Sequence, residues 1–229
     1  MRRGYICLLL VLWCQHLSWA PTTALAAKKP PCVASLEDCP LEGCGGDPGL
    51  NTVKNRQDPA SDPEKWGLDE IIGLQEEIQE DWKSGMDRVP IEEAGEGFAV
   101  VVTGYLIHAS NNSVESCNCR LPGPENKDIH VNLVTEKEYE RDESVVAEFT
   151  PRNRPDGWTV AKLGALAKKR AYVRITGWLM LDTEHLSRPG GPRATIWEIH
   201  PVTKCEICTK SKSDCDKGKG WKALATYPD

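Results

Sequence analysis

Apolar positions change period several times along the chain. Within WGLDEIIGLQEEIQEDW, Leu68, Ile71, Ile72, Ile78 and Trp82 recur at helical spacing, and Asp69, Glu70, Glu76, Glu77 and Glu80 fill the opposite face. That spacing predicts an amphipathic helix over 66–84, packed on a main domain. From 96 onward the period becomes two. GFAVVVTGYLIHAS reads as a first strand, with Gly104 in its middle marking a bulge or sharp coil. DIHVNLVTE is a second, with Ile129, Val131 and Leu133 on one face and Asp128, His130 and Asn132 on the other. ESVVAEFT is a third, turning Val145, Ala147 and Phe149 inward and Glu148 outward. WTVAKLGALAKKR returns to helical spacing, with a basic last turn that suits the helix dipole. Two more strands flank SRPGGPR as a hairpin with a long loop, and the second places Glu198 and His200 opposite Trp197 and Ile199. Residues 27–65, with cysteines, prolines and glycines but no periodicity, predict an irregular arm. Residues 205–229, rich in Lys and Cys, predict an irregular tail.

The order β-β-β-α-β-β, with a glycine in the middle of strands one and four, predicts a mainly β protein. Its core would be a five-stranded OB-like Greek-key barrel over 96–204, closed in the order 1-2-3-5-4-1. VVTGYLI and RITGWLM look alike, and the barrel makes them neighbours whose glycines ease the coiling. An α+β sandwich would use the same elements, but the helix between strands three and four favours the barrel.

Composition narrows the setting. The 229 residues carry a formal net charge of −6, which argues against a duplex nucleic acid as partner. Arg2 and Arg3, an apolar run over 6–13 and Ala24-Leu25-Ala26 predict a cleaved signal peptide over 1–26, with no later membrane span. The expected location is secreted or periplasmic, and the expected partner an extracytoplasmic ligand. Cys7 and Cys14 would leave with the signal. Cys32, Cys39, Cys44, Cys117, Cys119, Cys205, Cys208 and Cys215 remain, an even number that reads as disulfides in an exported chain. Cys205-x2-Cys208 also has zinc-ligand spacing, but Cys117-x-Cys119 is too tight to complete a ribbon. At least one bridge between the first loop and the tail is expected, because both emerge at one rim; the pairing stays open.

The same topology gathers polar groups. Asp128 and His130 start strand two, Glu148 nears the end of three, and Glu198 and His200 are placed towards the end of five, so the five should meet at one rim. Asp182 and His185 would close strand four at the opposite rim, and Arg193 would be solvated in the loop. Three readings follow. The cluster binds a ligand through Asp128, His130, Glu148, Trp178, Glu198 and His200; or it holds a divalent metal on His130, Glu148 and His200, as imidazole and carboxylate suit such ions; or it is a hydrogen-bonded network that pins strand register. Trp158, Trp178 and Trp197 are candidates for stacking on bases or sugars. Asn111-Asn112-Ser113 matches the glycosylation sequon.

Asp128-Ile129-His130, Ala147-Glu148, Thr176-Gly177, Asp182 to His185, and Glu198-Ile199-His200-Pro201-Val202 together form a recognisable pattern. Over roughly 96–204 it resembles an uncharacterised group of exported bacterial OB-fold-like proteins. The resemblance implies a fold and a site, not a reaction, and the tail from Cys205 departs from it. The acidic and arginine pattern of staphylococcal-type nucleases, which share the barrel, is not visible. The expected function is an exported binding module for an oligosaccharide, a peptide or a single-stranded nucleic acid. The alternatives are a metal-dependent hydrolase using the rim cluster and a structural envelope or matrix protein.

Overall fold

Strict alternation in AVVVTGYL buries Val100, Val102 and Leu106 and leaves Ala99, Val101, Thr103 and Tyr105 half-buried, as one face of a strand requires. In the computed structural model, which describes residues 29–186 and 192–228, this is the long strand β2 (Ala99–Asn111). The segment read as a signal peptide, 1–26, lies outside the described residues. With β3 (Ile129–Val134), β4 (Val145–Phe149), β5 (Tyr172–Leu181) and β6 (Trp197–Cys208), β2 forms a closed five-stranded barrel. β2–β3, β3–β4, β5–β6 and β2–β5 are antiparallel, and β4–β6 is parallel. The protein is mainly β, and the barrel closes in the expected order. β1 (Glu64–Lys65) pairs beside β2, and β7 (Trp221–Ala223) beside β6. Among the described residues, no helix is long and apolar enough to cross a membrane.

One irregularity sets what each face carries. The β2–β3 register shifts between Leu106 and His108. Before the shift the even-numbered residues face the core; after it Ala109 does, while His108 and Ser110 pair with Asn132 and His130. A bulge inserts one residue and so exchanges the two faces. The shift lies past Gly104, where a bulge was expected. Gly104 is instead a point of close approach: a Cβ there would lie 2.7 Å from Leu68 Cδ1 and 2.9 Å from the Val134 carbonyl. Gly177 is tighter, with Pro201 O at 2.6 Å, and the β5–β6 register is irregular on both sides of it.

Helices complete the core. α4 (Val160–Lys168), capped by the Thr159 hydroxyl, buries Leu163, Leu166 and Ala167 among the barrel residues. The helix expected over 66–84 is α-helical only in α2 (Leu68–Gly73), followed by a 3-10 turn over Leu74–Glu77. Its apolar face still packs, since Leu68, Ile71 and Trp82 join the core. Gln75 accepts from the Ile196 amide and Leu74 O from Trp197 Nε1, contacts that hold the segment to the start of β6. α3 (Val89–Glu93) adds Ile91.

Both ends differ from expectation. The arm contains α1 (Pro48–Lys54), started by Asp47, which accepts from Leu50 N, and by Pro48 at the first helical position. Cys32–Cys44 and Cys39–Cys119 bridge the arm to itself and to the loop after β2. The tail is ordered too: β6 runs on through Cys208, and α5 (Lys212–Asp216) and β7 fold back against it under the Cys208–Cys215 bridge. Among the described residues no bridge joins the first loop to the tail, and Cys208, in a disulfide, offers no metal thiolate. The long β6 carries Cys205 opposite Ile175, away from the end of the strand that the first loop covers. Cys117 and Cys205 are free and buried.

Two measurements check this architecture. Gly177→Ala should cost about 1–3 kcal/mol by overpacking. Gly164→Ala, in the middle of α4 with nothing within 4 Å of its new methyl, should stabilise by about 0.5–1 kcal/mol; denaturant midpoints compare them. Thiol titration of the denatured, unreduced chain from residue 29 onward should find two free thiols, those of Cys117 and Cys205.

Candidate functional site

The five polar residues expected to meet do so, on the barrel face turned away from the core. Pairing of His130 with Glu148, and of Val146 with Glu198, sets their even-numbered side chains next to one another across β3, β4 and β6. His130 Nε2 lies 2.6 Å from Glu148 Oε1, and His200 Nδ1 lies 3.3 Å from Glu148 Oε2. His200 Nε2 is 3.8 Å from Asp128 Oδ2, and its Nδ1 is 3.9 Å from Glu198 Oε2. Asp128, Glu148, Glu198 and His200 are buried, while His130 keeps 26% of its side chain exposed. Glu198 and His200 stand near the beginning of β6, not its end, because that strand extends to Cys208.

A face exposed in a bare barrel is buried here because the arm and the loop over 112–120 lie across it. Asn55 Nδ2 donates to the Cys117 carbonyl, and Arg152 reaches Asn55 and the Cys39 carbonyl. α1 delivers Lys54, 4% exposed, to within 3.5 Å of Glu115 Oε1. Asn118 donates to Asp128 Oδ1, and Cys117 Sγ approaches Asp128 Oδ2 at 3.9 Å. Sequence reasoning missed Lys54, Glu115 and Cys117 because they sit outside the strands. The available signal was the Asp47-Pro48 helix start, which places Lys54 in that helix's last turn.

Two placements are corrected. Asp182 and His185 are not at the opposite rim: β5 is antiparallel to β6, so its end meets the start of β6, where Glu198 lies. Arg193 is not loop solvation but a bridge, paired with Glu198 and lying 3.5 Å from Asp182 Oδ2; Asp182 in turn pairs with His185. Nor does Trp178 offer a stacking surface. It is 8% exposed, covered by the Arg56 guanidinium 3.2 Å above its ring, and its indole N–H donates to Asp58 O. Trp158 and Trp197 belong to the core. All three rings are therefore covered, Trp178 by a guanidinium and the other two by apolar neighbours.

Charge is distributed unevenly. Lys54 answers Glu115, and Arg193 answers Glu198 and Asp182. Among the described residues, Asp128 and Glu148 have no Lys or Arg within ion-pair distance, and the two imidazoles are the only ionisable bases that reach them. Burial, then the charges of Glu198 and Glu115, pushes the Glu148 carboxyl well above its usual range; burial, Glu115 and Glu148 do the same to Asp128. Burial holds the His200 imidazole below its ordinary value against the pull of Glu198. Glu115 goes the other way: burial would raise it, but Lys54 brings it down.

Several of these atoms lack an aligned hydrogen bond: both ring nitrogens of His200, His130 Nε2, and one oxygen each of Glu115, Glu148 and Glu198. Buried polar atoms are nearly always paired, so a group of this size in one place calls for a cause. Three sets, Asp128–Glu148–His200, Glu115–His130–Glu148 and Glu115–Cys117–Asp128, each bring one donor atom per residue within 4.8 Å of the others. Their outer edge opens into a cavity of about 680 Å³ lined by Lys54, Glu115, Cys117, His130, Arg141 and Arg193, among others. The chain matches no protein-family model, no curated protein and no solved structure.

Removing the guanidinium bridge tests the electrostatics directly. Arg193→Met strands the buried Glu198 carboxylate and should cost about 3–5 kcal/mol by chemical denaturation. The double variant Arg193→Met/Glu198→Gln should recover part of that loss.

Proposed function

We propose that this chain is an exported barrel module that binds one divalent transition-metal ion on its arm-covered face. Asp128, Glu148 and His200 supply the buried donors, and His130 and Glu115 complete the set at the cavity edge. The observation that carries this reading is the pair of buried, oppositely disposed groups Glu148 and His200, close together yet without an aligned hydrogen bond. Donors about 2.1 Å from one ion, at tetrahedral or octahedral angles, are separated by about 3.0–3.4 Å. The spacing of 3.3 Å between His200 Nδ1 and Glu148 Oε2 falls in that range; Asp128 approaches the other ring nitrogen, Nε2, at 3.8 Å, and joins the set as a donor within 4.8 Å of the other two. Lys54 pairs with Glu115, and Arg193 is shared by Glu198 and Asp182, so among the described residues Asp128 and Glu148 are the two carboxylates of the cluster left without a Lys or Arg, the partner one divalent cation would supply.

Imidazole with carboxylate favours zinc, manganese or iron over calcium or magnesium. Three disulfides support export to an oxidising compartment and accord with the likeness to the exported OB-fold-like group. A glycan or single-stranded nucleic acid bound by stacking loses its support, since the three tryptophans are covered. Hydrolytic chemistry is the second reading, favoured by the single fact that His130 and Glu115 face the cavity.

Element-resolved analysis of the purified chain after dialysis against zinc or manganese should find one ion per chain. Glu148→Gln and His200→Ala should abolish it, and His130→Ala should weaken it. At an ion concentration about a hundred times Kd, binding stabilises by about 2.7 kcal/mol. Chelation should therefore lower Tm by about 5–10 °C. No ion under either supply, with variants that are merely less stable, would replace this reading with a purely architectural network.

A further inference from the structure

The cavity above the cluster has a charge opposite to that of the protein. The chain carries −6 overall, yet Lys29, Lys54, Arg120, Arg141 and Arg193 all line this one space. Lys54 and Arg193 are occupied by carboxylates. Arg120 and Arg141 make no ion pair with any described residue. The Arg120 Nη1 contacts are two disulfide sulfurs, Cys32 Sγ at 3.3 Å and Cys44 Sγ at 3.9 Å, both poor acceptors. Nε of Arg141 is buried with no hydrogen-bond partner at all. Against them stand Glu115, already paired with Lys54, and Glu184.

An unpartnered buried guanidinium nitrogen is costly unless a ligand uses it. Guanidinium forks match tetrahedral oxyanions, two parallel N–H donors to two oxygens. Resting on the metal reading above, we infer that the cavity takes a small phosphate-bearing ligand. One phosphate oxygen meets the ion on the His130 and Glu115 side, and the remaining oxygens are gripped by Arg120 and Arg141. The acidic floor holds the cation, the basic lip holds the anion, and the pair fills the site with little net charge. The volume, about 680 Å³, admits a phosphate monoester with a modest organic group as readily as inorganic phosphate.

Isothermal titration of the zinc-loaded full chain with inorganic phosphate and, separately, with phenyl phosphate tests this. Saturable one-to-one binding of either probe, weakened about tenfold or more in Arg141→Gln and in Arg120→Gln with the metal content unchanged, supports the inference. Binding of phenyl phosphate alone assigns the site to esters, and binding of both assigns it to the phosphate group itself. Should Arg141→Gln fail to fold, Arg141→Lys keeps the charge but loses the fork, and it should still weaken binding. Zinc-loaded protein that binds neither probe at millimolar concentration overturns the inference and leaves the metal reading standing. Phosphate bound by metal-free protein in an Arg141-dependent way would keep the anion site and remove the ion from it.

Discussion

Four carboxylates and a histidine cannot be withdrawn from water on one side of a small barrel without something to answer their charge. The arm and the loop after β2 perform that withdrawal, and they carry part of the answer with them. α1 brings Lys54 to Glu115, the hairpin loop brings Arg193 between Glu198 and Asp182, and the loop brings Asn118 to Asp128. What these partners leave unanswered, Glu148 and Asp128 facing His200, is the reason for reading the face as a metal site. An isolated buried carboxylate pair shifts its proton affinity upward unless a cation arrives, which is the direction of both shifts.

The covering layer owes its position to covalent bonds as well as packing. Cys39–Cys119 ties residues 80 apart in sequence, so the arm and the loop are held together as one cover over the strands. Cross-linking over so long a span removes many unfolded conformations. Asn51 and Asn55 then satisfy carbonyls that the cysteine-rich turns leave without strand or helix partners, Glu42, Gly45, Leu41 and Cys117 among them. An arm without periodicity is thereby tied to itself and to the loop it meets by side-chain hydrogen bonds and disulfides.

Beneath this cover, the barrel decides where polar groups point. The shift after Leu106 exchanges the faces of β2, so that Ser110 and His108 extend the polar row while Ala109 joins the core. Gly177 allows β5 and β6 to approach closely at Pro201, just past the residue that carries the central imidazole. A side chain at Gly177 would push β5 away from β6, the strand that carries Glu198 and His200.

Strand alternation and element order were legible in the sequence because they depend on local periodicity, and with them came the barrel order and the meeting of Asp128, His130, Glu148, Glu198 and His200. The cysteine pairing was not legible, since the length of β6 decides where Cys205 and Cys208 end, and a strand's end is set by its partners. Arg193 read as a loop residue because nothing in SRPGGPR shows that its guanidinium pairs with Glu198. Trp178 read as a binding residue because a sequence cannot say that an arginine 122 positions earlier lies on its ring. Alternation alone assigned each side chain to a face; only the tertiary structure decided whether that face meets water, because burial is a property of what another part of the chain lays across it.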